Sequence, residues 1–183
     1  MQYRTTAVAG AFVISPESHG DERGFFARFF CADEFRKQGL NPAVAQGNNS
    51  LSARAGTLRG LHYQIAPSGE CKLVRCIAGA AYDVVVDLRR NSPTFGKWAA
   101  ETLTAENRRM MYVPEGCAHG FLTLADATEM LYLASAPYDG PRERILRWND
   151  PRFAIDWLRR PEVLSDKDRR APDYDPAYHD PGV

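Results

Sequence analysis

The sequence predicts an all-β chain, an antiparallel jelly-roll barrel with a few short peripheral helices, formed as one domain over all 183 residues. Three observations carry that expectation. Most apolar segments are short, rich in β-branched and aromatic residues, and divided by turn residues. Strand and helix patterns do not alternate, which argues against a parallel α/β sheet. The length suits a single hydrophobic core, and no stretch of the chain reads as a seam or an internal repeat.

In chain order, strands are expected over 24–30, 72–77, 81–88, 97–103, 109–113, 120–124 and 128–134. Ala78-Gly79-Ala80 reads as a hairpin between two of them, with Gly79 supplying a positive φ. Residues 32–38 carry the one clear helical pattern, closed by Gly39 as a C-terminal cap. From about residue 158 the chain is polar and punctuated by Pro161, Pro172, Pro176 and Pro181. That tail is expected to wrap the surface and to end in disorder.

Hydrophobic residues make up 44% and charged residues 25% of the chain, the balance of an ordinary globular protein and not of a disordered one. Lys+Arg and Asp+Glu both number 23, so no polyanion-binding surface and no nucleic-acid partner is expected. An anion would be held by a few placed side chains. Neither a GxGxxG turn nor a P-loop occurs, so a nucleotide would be gripped by side chains and loops. No apolar run is long enough for a bilayer and the N-terminus lacks a signal-peptide pattern, so a cytoplasmic protein without a membrane partner is expected. Cys31, Cys71, Cys76 and Cys117 form no CxxC pair and read as reduced, partly buried thiols; Cys71 lies near the motifs below, with packing its plainer role.

Three clusters could carry chemistry. In Leu58-Arg59-Gly60-Leu61-His62-Tyr63-Gln64 and the following Lys72-Leu73-Val74-Arg75-Cys76, strand alternation groups His62 with Gln64, and Lys72 with Val74 and Cys76. A histidine and a lysine aimed into one barrel would set a base beside a cation. Read singly, the plainer roles are a hydrogen-bonded core histidine and a surface amine. The second cluster, Pro114-Glu115-Gly116-Cys117-Ala118-His119, has the P-x-G-x-x-H turn of cupin barrels, whose histidine points inward and often binds a metal. A His62, Gln64, His119 set lacks the carboxylate or third imidazole that such metal sites usually hold, and Lys72 would repel a dication. In the third, Tyr132 shares a strand face with Met130 and Ala134, an apolar wall that keeps a phenol neutral but able to give up its proton.

Together these segments resemble the dTDP-4-dehydrorhamnose 3,5-epimerase family, from about residue 20 to about residue 168. The hallmarks include Gly20-Asp21-Glu22-Arg23-Gly24-Phe25-Phe26, the two strands around His62 and Lys72, Ser92-Pro93-Thr94-Phe95-Gly96-Lys97-Trp98, the turn into His119-Gly120-Phe121, and Trp148-Asn149-Asp150-Pro151. The resemblance implies a cupin-like jelly roll, a homodimer, no cofactor and no metal. Its implied substrate is a nucleoside-diphosphate 4-keto-6-deoxy sugar, inverted at C3 and at C5 through an enolate.

Residue roles carry over from the same resemblance. His62 matches the catalytic base and Asp168 the carboxylate that orients its imidazole. Lys72 matches the cation beside the ketone oxygen, Asp83 the partner that places Lys72, and Tyr132 the acid that returns a proton on the opposite face of the sugar. Arg23, Gln46, Asn48, Arg59, His119, Glu143 and Lys167 match substrate-binding positions, and Tyr138 the aromatic that stacks on the base. The chain departs from the family at Arg28, where glutamate is usual, at Gly47 and Asn49, which replace aspartate and histidine, and at Leu133, which replaces lysine. Arg28 reverses a local charge, which implies a more anionic ligand or a different ion pair. The departures are expected to fall in substrate-contacting segments and to alter which nucleotide or sugar is taken. Inversion at C3 alone, a metal-dependent cupin isomerase or dioxygenase, and a non-catalytic sugar-binding barrel are the competing readings.

Overall fold

The computed structural model describes residues 1–183. Strands β1 (Gln2–Thr5), β2 (Phe12–Ser15), β5 (Gln46–Ser52), β7 (Lys72–Ala78), β10 (Met110–Val113) and β12 (Thr128–Ala134) form one antiparallel sheet, in the order β1-β2-β10-β7-β12-β5. Strands β6 (Leu58–Gln64), β8 (Ala80–Asp87), β9 (Trp98–Thr104), β11 (Cys117–Thr123) and β13 (Glu143–Ile145) form the other, ordered β13-β6-β11-β8-β9. The two sheets pack face to face as the expected jelly roll. A separate hairpin pairs β3 (Ser18–Asp21) with β4 (Gly24–Ala27), and the helices are the short α1 (Ala32–Lys37) and α2 (Asp166–Arg169).

Period-two alternation sends Val74, Cys76, Met111, Val113 and Met130 from the first sheet inward against Val85, Leu103, Cys117 and Phe121 of the second. Each fully buried side chain of this kind contributes roughly 1.5–3 kcal/mol. Both outer faces are covered as well. Phe35 of α1 packs with Ile14, Leu73 and Met110 on one sheet; Leu146 and Phe153 pack with Leu61, Val84 and Val86 on the other. Cys71 lies in the outer layer under α1, so its role is packing, and all four cysteines are free.

The expected strand 128–134 and the Gly79 hairpin are as read, with φ at Gly79 of 72°. The expected strand 24–30 stops at Ala27, because it belongs to the isolated hairpin, where Phe25 and Phe26 are 51% and 70% exposed. Strand β5 was not legible: its sequence, Gln-Gly-Asn-Asn-Ser-Leu-Ser, is polar, and it is a strand because its backbone zips along β12 from Gln46↔Ala134 to Ser52↔Thr128. The tail differs from expectation too. His179 near its end is fully buried, stacks on Tyr174, meets the Ile145 carbonyl through Nε2 at 3.1 Å, and accepts on its own carbonyl from the Tyr63 hydroxyl at 3.0 Å. No helix is long and apolar enough to cross a membrane.

Candidate active site

A cavity of about 430 Å³ opens between the sheets, lined by His62, Lys72, His119, Tyr132 and Asp168 together with Arg59. A second, of about 210 Å³, takes Gln46, Asn48, Glu70, Tyr138 and Glu143. The two share His62, Lys72 and Tyr132, so the base, cation and acid read from the sequence stand where the cavities meet.

Local backbone geometry explains how Arg59 and His62 reach one cavity. Three residues apart on a regular strand, they would point to opposite faces. The pairing of β6 with β11 runs His119↔His62 and then Phe121↔Arg59, so β6 carries one extra residue and the phase is reset by a bulge. Gly60 sits at that bulge with φ of 130°, and a Cβ there would lie 2.6 Å from the Gly120 Cα, a distance no side chain can occupy.

His62 Nε2 is 2.6 Å from Asp168 Oδ1. With that N–H donated to the carboxylate, Nδ1 carries the free lone pair. Asp168 is the third residue of helix α2 counted inward from its N-cap, Ser165. The Ser165 Oγ accepts from the Asp168 backbone N–H at 3.1 Å and donates to Asp168 Oδ2 at 2.8 Å. Burial alone would push the Asp168 carboxyl up, but the hydrogen bonds from His62 and Ser165 outweigh it and hold the group below the usual carboxylate range.

Across the cavity, Tyr132 comes from β12 of the opposite sheet. Burial, followed by the nearby Glu70 charge, raises its phenol above the ordinary value, with Arg59 opposing. Lys72 Nζ donates to the His62 carbonyl at 3.3 Å and pairs with Glu70 Oε1 at 3.0 Å. The expected Lys72 partner, Asp83, instead meets His119: Nε2 and Oδ2 are 2.9 Å apart, because Asp83 on β8 and His119 on β11 lie on adjacent, inward-facing rows. Gln64 does not share a centre with the two histidines. Its amide donates to the Ser68 and Pro137 carbonyls and accepts from the Asp139 N–H, and nowhere do three His, Cys, Asp or Glu side chains converge.

Several of the expected binding residues form a chain along the smaller cavity. Gln46 accepts from the Tyr138 backbone N–H, the Tyr138 hydroxyl donates to Glu143 Oε2 at 3.0 Å, and Lys167 pairs with the same carboxylate. Burial would raise Glu143, yet Lys167, His62 and Tyr138 together lower it; the Tyr138 phenol is raised in return by Glu143. Tyr138 remains 64% exposed at the rim, open to a stacking partner.

Two expected binding residues are not brought to the cavities within this chain. Arg23 projects from the β3–β4 turn and pairs with Asp21, while Arg28 pairs with Glu34 at 3.6 Å and lines a different hollow beside Met1 and His19. Three of the departures from the family pattern fall on the cavity-lining strands β5 and β12, but with their side chains out of phase with the cavity. Gly47 and Leu133 are cross-strand partners, and they and Asn49 alternate out of phase with Gln46, Asn48 and Tyr132, which face the cavity; Leu133 packs with the outer layer under α1. Glu70, Ser50 and Ser165 are cavity residues that the sequence reading missed. Only Ser165 had a signal, the Ser-x-x-Asp spacing of a helix start.

Residues 5–175 match the family model for dTDP-4-dehydrorhamnose 3,5-epimerase. The chain belongs to the dTDP-4-dehydrorhamnose 3,5-epimerase family. It is 43% identical over 173 residues to the dTDP-4-dehydrorhamnose 3,5-epimerase of Sinorhizobium fredii, covering 94% of this chain and 89% of that one. The epimerase structure from Mycobacterium tuberculosis superposes with a TM-score of 0.90 at 43% identity, over 94% of this chain and 88% of that chain. A further similar epimerase, the 3'-monoepimerase ChmJ of Streptomyces bikiniensis in complex with dTDP-quinovose, gives a TM-score of 0.84 at 39% identity, over 91% and 84% of the two chains.

Proposed function

We propose that this chain is an epimerase of a dTDP-linked 4-keto-6-deoxy sugar, inverting C3 and then C5 without cofactor or metal. The observation that carries this reading is the cavity in which His62 of one sheet, paired with Asp168 of α2, faces the half-buried Tyr132 of the other, with the Lys72 ammonium lining the same cavity. His62 Nδ1 takes the proton from the carbon beside the C4 ketone. The electron pair of the broken C–H bond moves onto the ketone oxygen as an enolate, which Lys72 stabilises in a site shielded from water. Tyr132 then gives its proton to the same carbon from the opposite side, and burial that keeps its phenol protonated suits it for that step. A base on one face and an acid on the other are what inversion requires.

Arg59, His119, Gln46, Asn48, Glu143 and Lys167 are proposed to hold the sugar nucleotide, and Tyr138 to stack on its base. Arg59 suits a diphosphate through bidentate donors. Arg23, Phe25 and Phe26 stand exposed on a hairpin outside both sheets, which supports a homodimer in which that hairpin finds its partner surface. The free cysteines fit a reducing, cytoplasmic setting. One domain over residues 1–183, with the tail from about residue 158 supplying Asp168, would make up the working unit. The test is NMR of dTDP-4-keto-6-deoxyglucose with purified protein: appearance of the 4-keto-rhamnose configuration supports the proposal, inversion at C3 alone narrows it to a monoepimerase, and unchanged substrate refutes it.

A further inference from the structure

Glu70 is the one ionisable side chain of the joined cavities that neither the motifs nor the mechanism uses. It lies two residues before Lys72, just ahead of β7, and its carboxylate reaches the Lys72 ammonium. The intervening Cys71 is pinned at both of its peptide groups: its N–H donates to the Ser135 Oγ at 2.8 Å and its carbonyl accepts from the Ser135 N–H at 3.0 Å. That anchorage on the end of β12 fixes where Glu70 begins. Its Oε1 lies 3.0 Å from Lys72 Nζ, and both side chains are only 12% exposed. Lys72 therefore has two oriented acceptors, the Glu70 carboxylate and the His62 carbonyl, leaving its third donor for a ligand.

We infer that Glu70 is the positioning residue of the site: it holds the Lys72 ammonium between His62 and Tyr132 and sets the charge that the tyrosine feels. The inference rests on the epimerase reading above. A carboxylate beside the ammonium aims it and also offsets part of its charge, so Glu70 trades some enolate stabilisation for a fixed donor direction. The same negative charge disfavours the phenolate of Tyr132, whose pKa is raised by burial first and by Glu70 second. The charged and titratable groups that line the cavities with that phenol are Glu70 and Lys72 from the β7 end, Arg59, His62 and Tyr63 from β6, His119 from β11, Tyr138 and Glu143 from the segment leading into β13, and Asp168 from α2. Of these, Arg59 works against Glu70.

Glu70→Gln keeps an acceptor for Lys72 and deletes the charge; Glu70→Ala deletes both. For each variant, solvent deuterium uptake at C3, KM and the pH profile of kcat are measured, with the folded state checked by thermal melting. Glu70→Gln should keep uptake and KM close to wild type but move the alkaline limb of kcat to lower pH, since a phenol relieved of a neighbouring carboxylate ionises sooner. Glu70→Ala should lose about tenfold or more in uptake through the unaimed ammonium, with KM much less affected. An unmoved alkaline limb in Glu70→Gln together with wild-type uptake in Glu70→Ala overturns the inference, as does equal loss in both variants with an unmoved limb. Failure of the wild-type protein to take up deuterium would instead refute the epimerase reading, so the two failures are distinct.

Discussion

His62 and Asp168 stand 106 residues apart in the chain, yet His62 Nε2 lies 2.6 Å from Asp168 Oδ1. The dyad joins an interior strand to the four-residue helix α2, so the tail lines the cavity as well as running over the surface. Asp168→Asn keeps a hydrogen-bonding group but loses the charge and one acceptor toward Ser165. Turnover is expected to fall by about 100-fold, at the lower end of what general base catalysis supplies, with dTDP affinity within a few-fold of wild type. Steady-state kinetics and calorimetric titration with dTDP check this; a parallel loss of both would mean that Asp168 shapes the pocket and does not tune the base.

In the proposed mechanism Tyr132 acts after the proton has left. Tyr132→Phe should therefore retain much of the solvent exchange at C3 while product formation drops by about 100-fold or more, the exchange arising from return of solvent-derived protons to the original face. NMR follows both in one tube. Equal loss of exchange and product would contradict the assigned order.

The bulge in β6 makes a prediction about backbone shape. At Gly60→Ala the new methyl group meets the Gly120 Cα and the residue is held at a φ that L side chains rarely adopt. A loss of about 2–4 kcal/mol in unfolding free energy is expected, with activity falling further than stability because the phase of Arg59 against His62 is lost. Urea unfolding and kcat on the same sample decide it; a variant as stable and active as wild type would remove the bulge from the account.

Away from the site, Asp87 is fully buried and accepts from Arg89, Ser92 and Thr94. Burial would raise its carboxyl, but these donors hold it below the ordinary range. Asp87→Ala leaves the Arg89 guanidinium without its partner and should cost about 3–5 kcal/mol at neutral pH. A depressed folded pKa means that the stabilisation is full above the unfolded value near about pH 4 and fades as pH falls through the lower folded one. The gap between Asp87→Asn and wild type should accordingly shrink below about pH 4, measured by thermal melting across pH; a constant gap would point to packing alone.

What could be read in advance follows from what each segment needs. The strand over 128–134 is legible because its own alternation decides its face, and the Pro114 turn because its residues demand a bend. Strand β5 is not, because nothing local favours it and its partner strand does the ordering. The dyad came from family resemblance, since no spacing rule joins residue 62 to residue 168. Asp83 was misassigned because alternation puts it inside the barrel but cannot say which neighbour it meets; the register of β8 on β11 hands it to His119, and Lys72 takes the nearer Glu70. Gly47, Asn49 and Leu133 were expected in substrate-contacting segments from the family pattern; they do lie on cavity-lining strands, but alternation turns all three away from the cavity.

Proton abstraction by His62 without a metal is read out by solvent deuterium incorporation at C3 of dTDP-4-keto-6-deoxyglucose in the presence of a chelator. That role for His62 requires rapid incorporation with the wild-type protein and none above background with His62→Ala. No incorporation at saturating wild-type protein, or incorporation by His62→Ala at the wild-type rate, would contradict it.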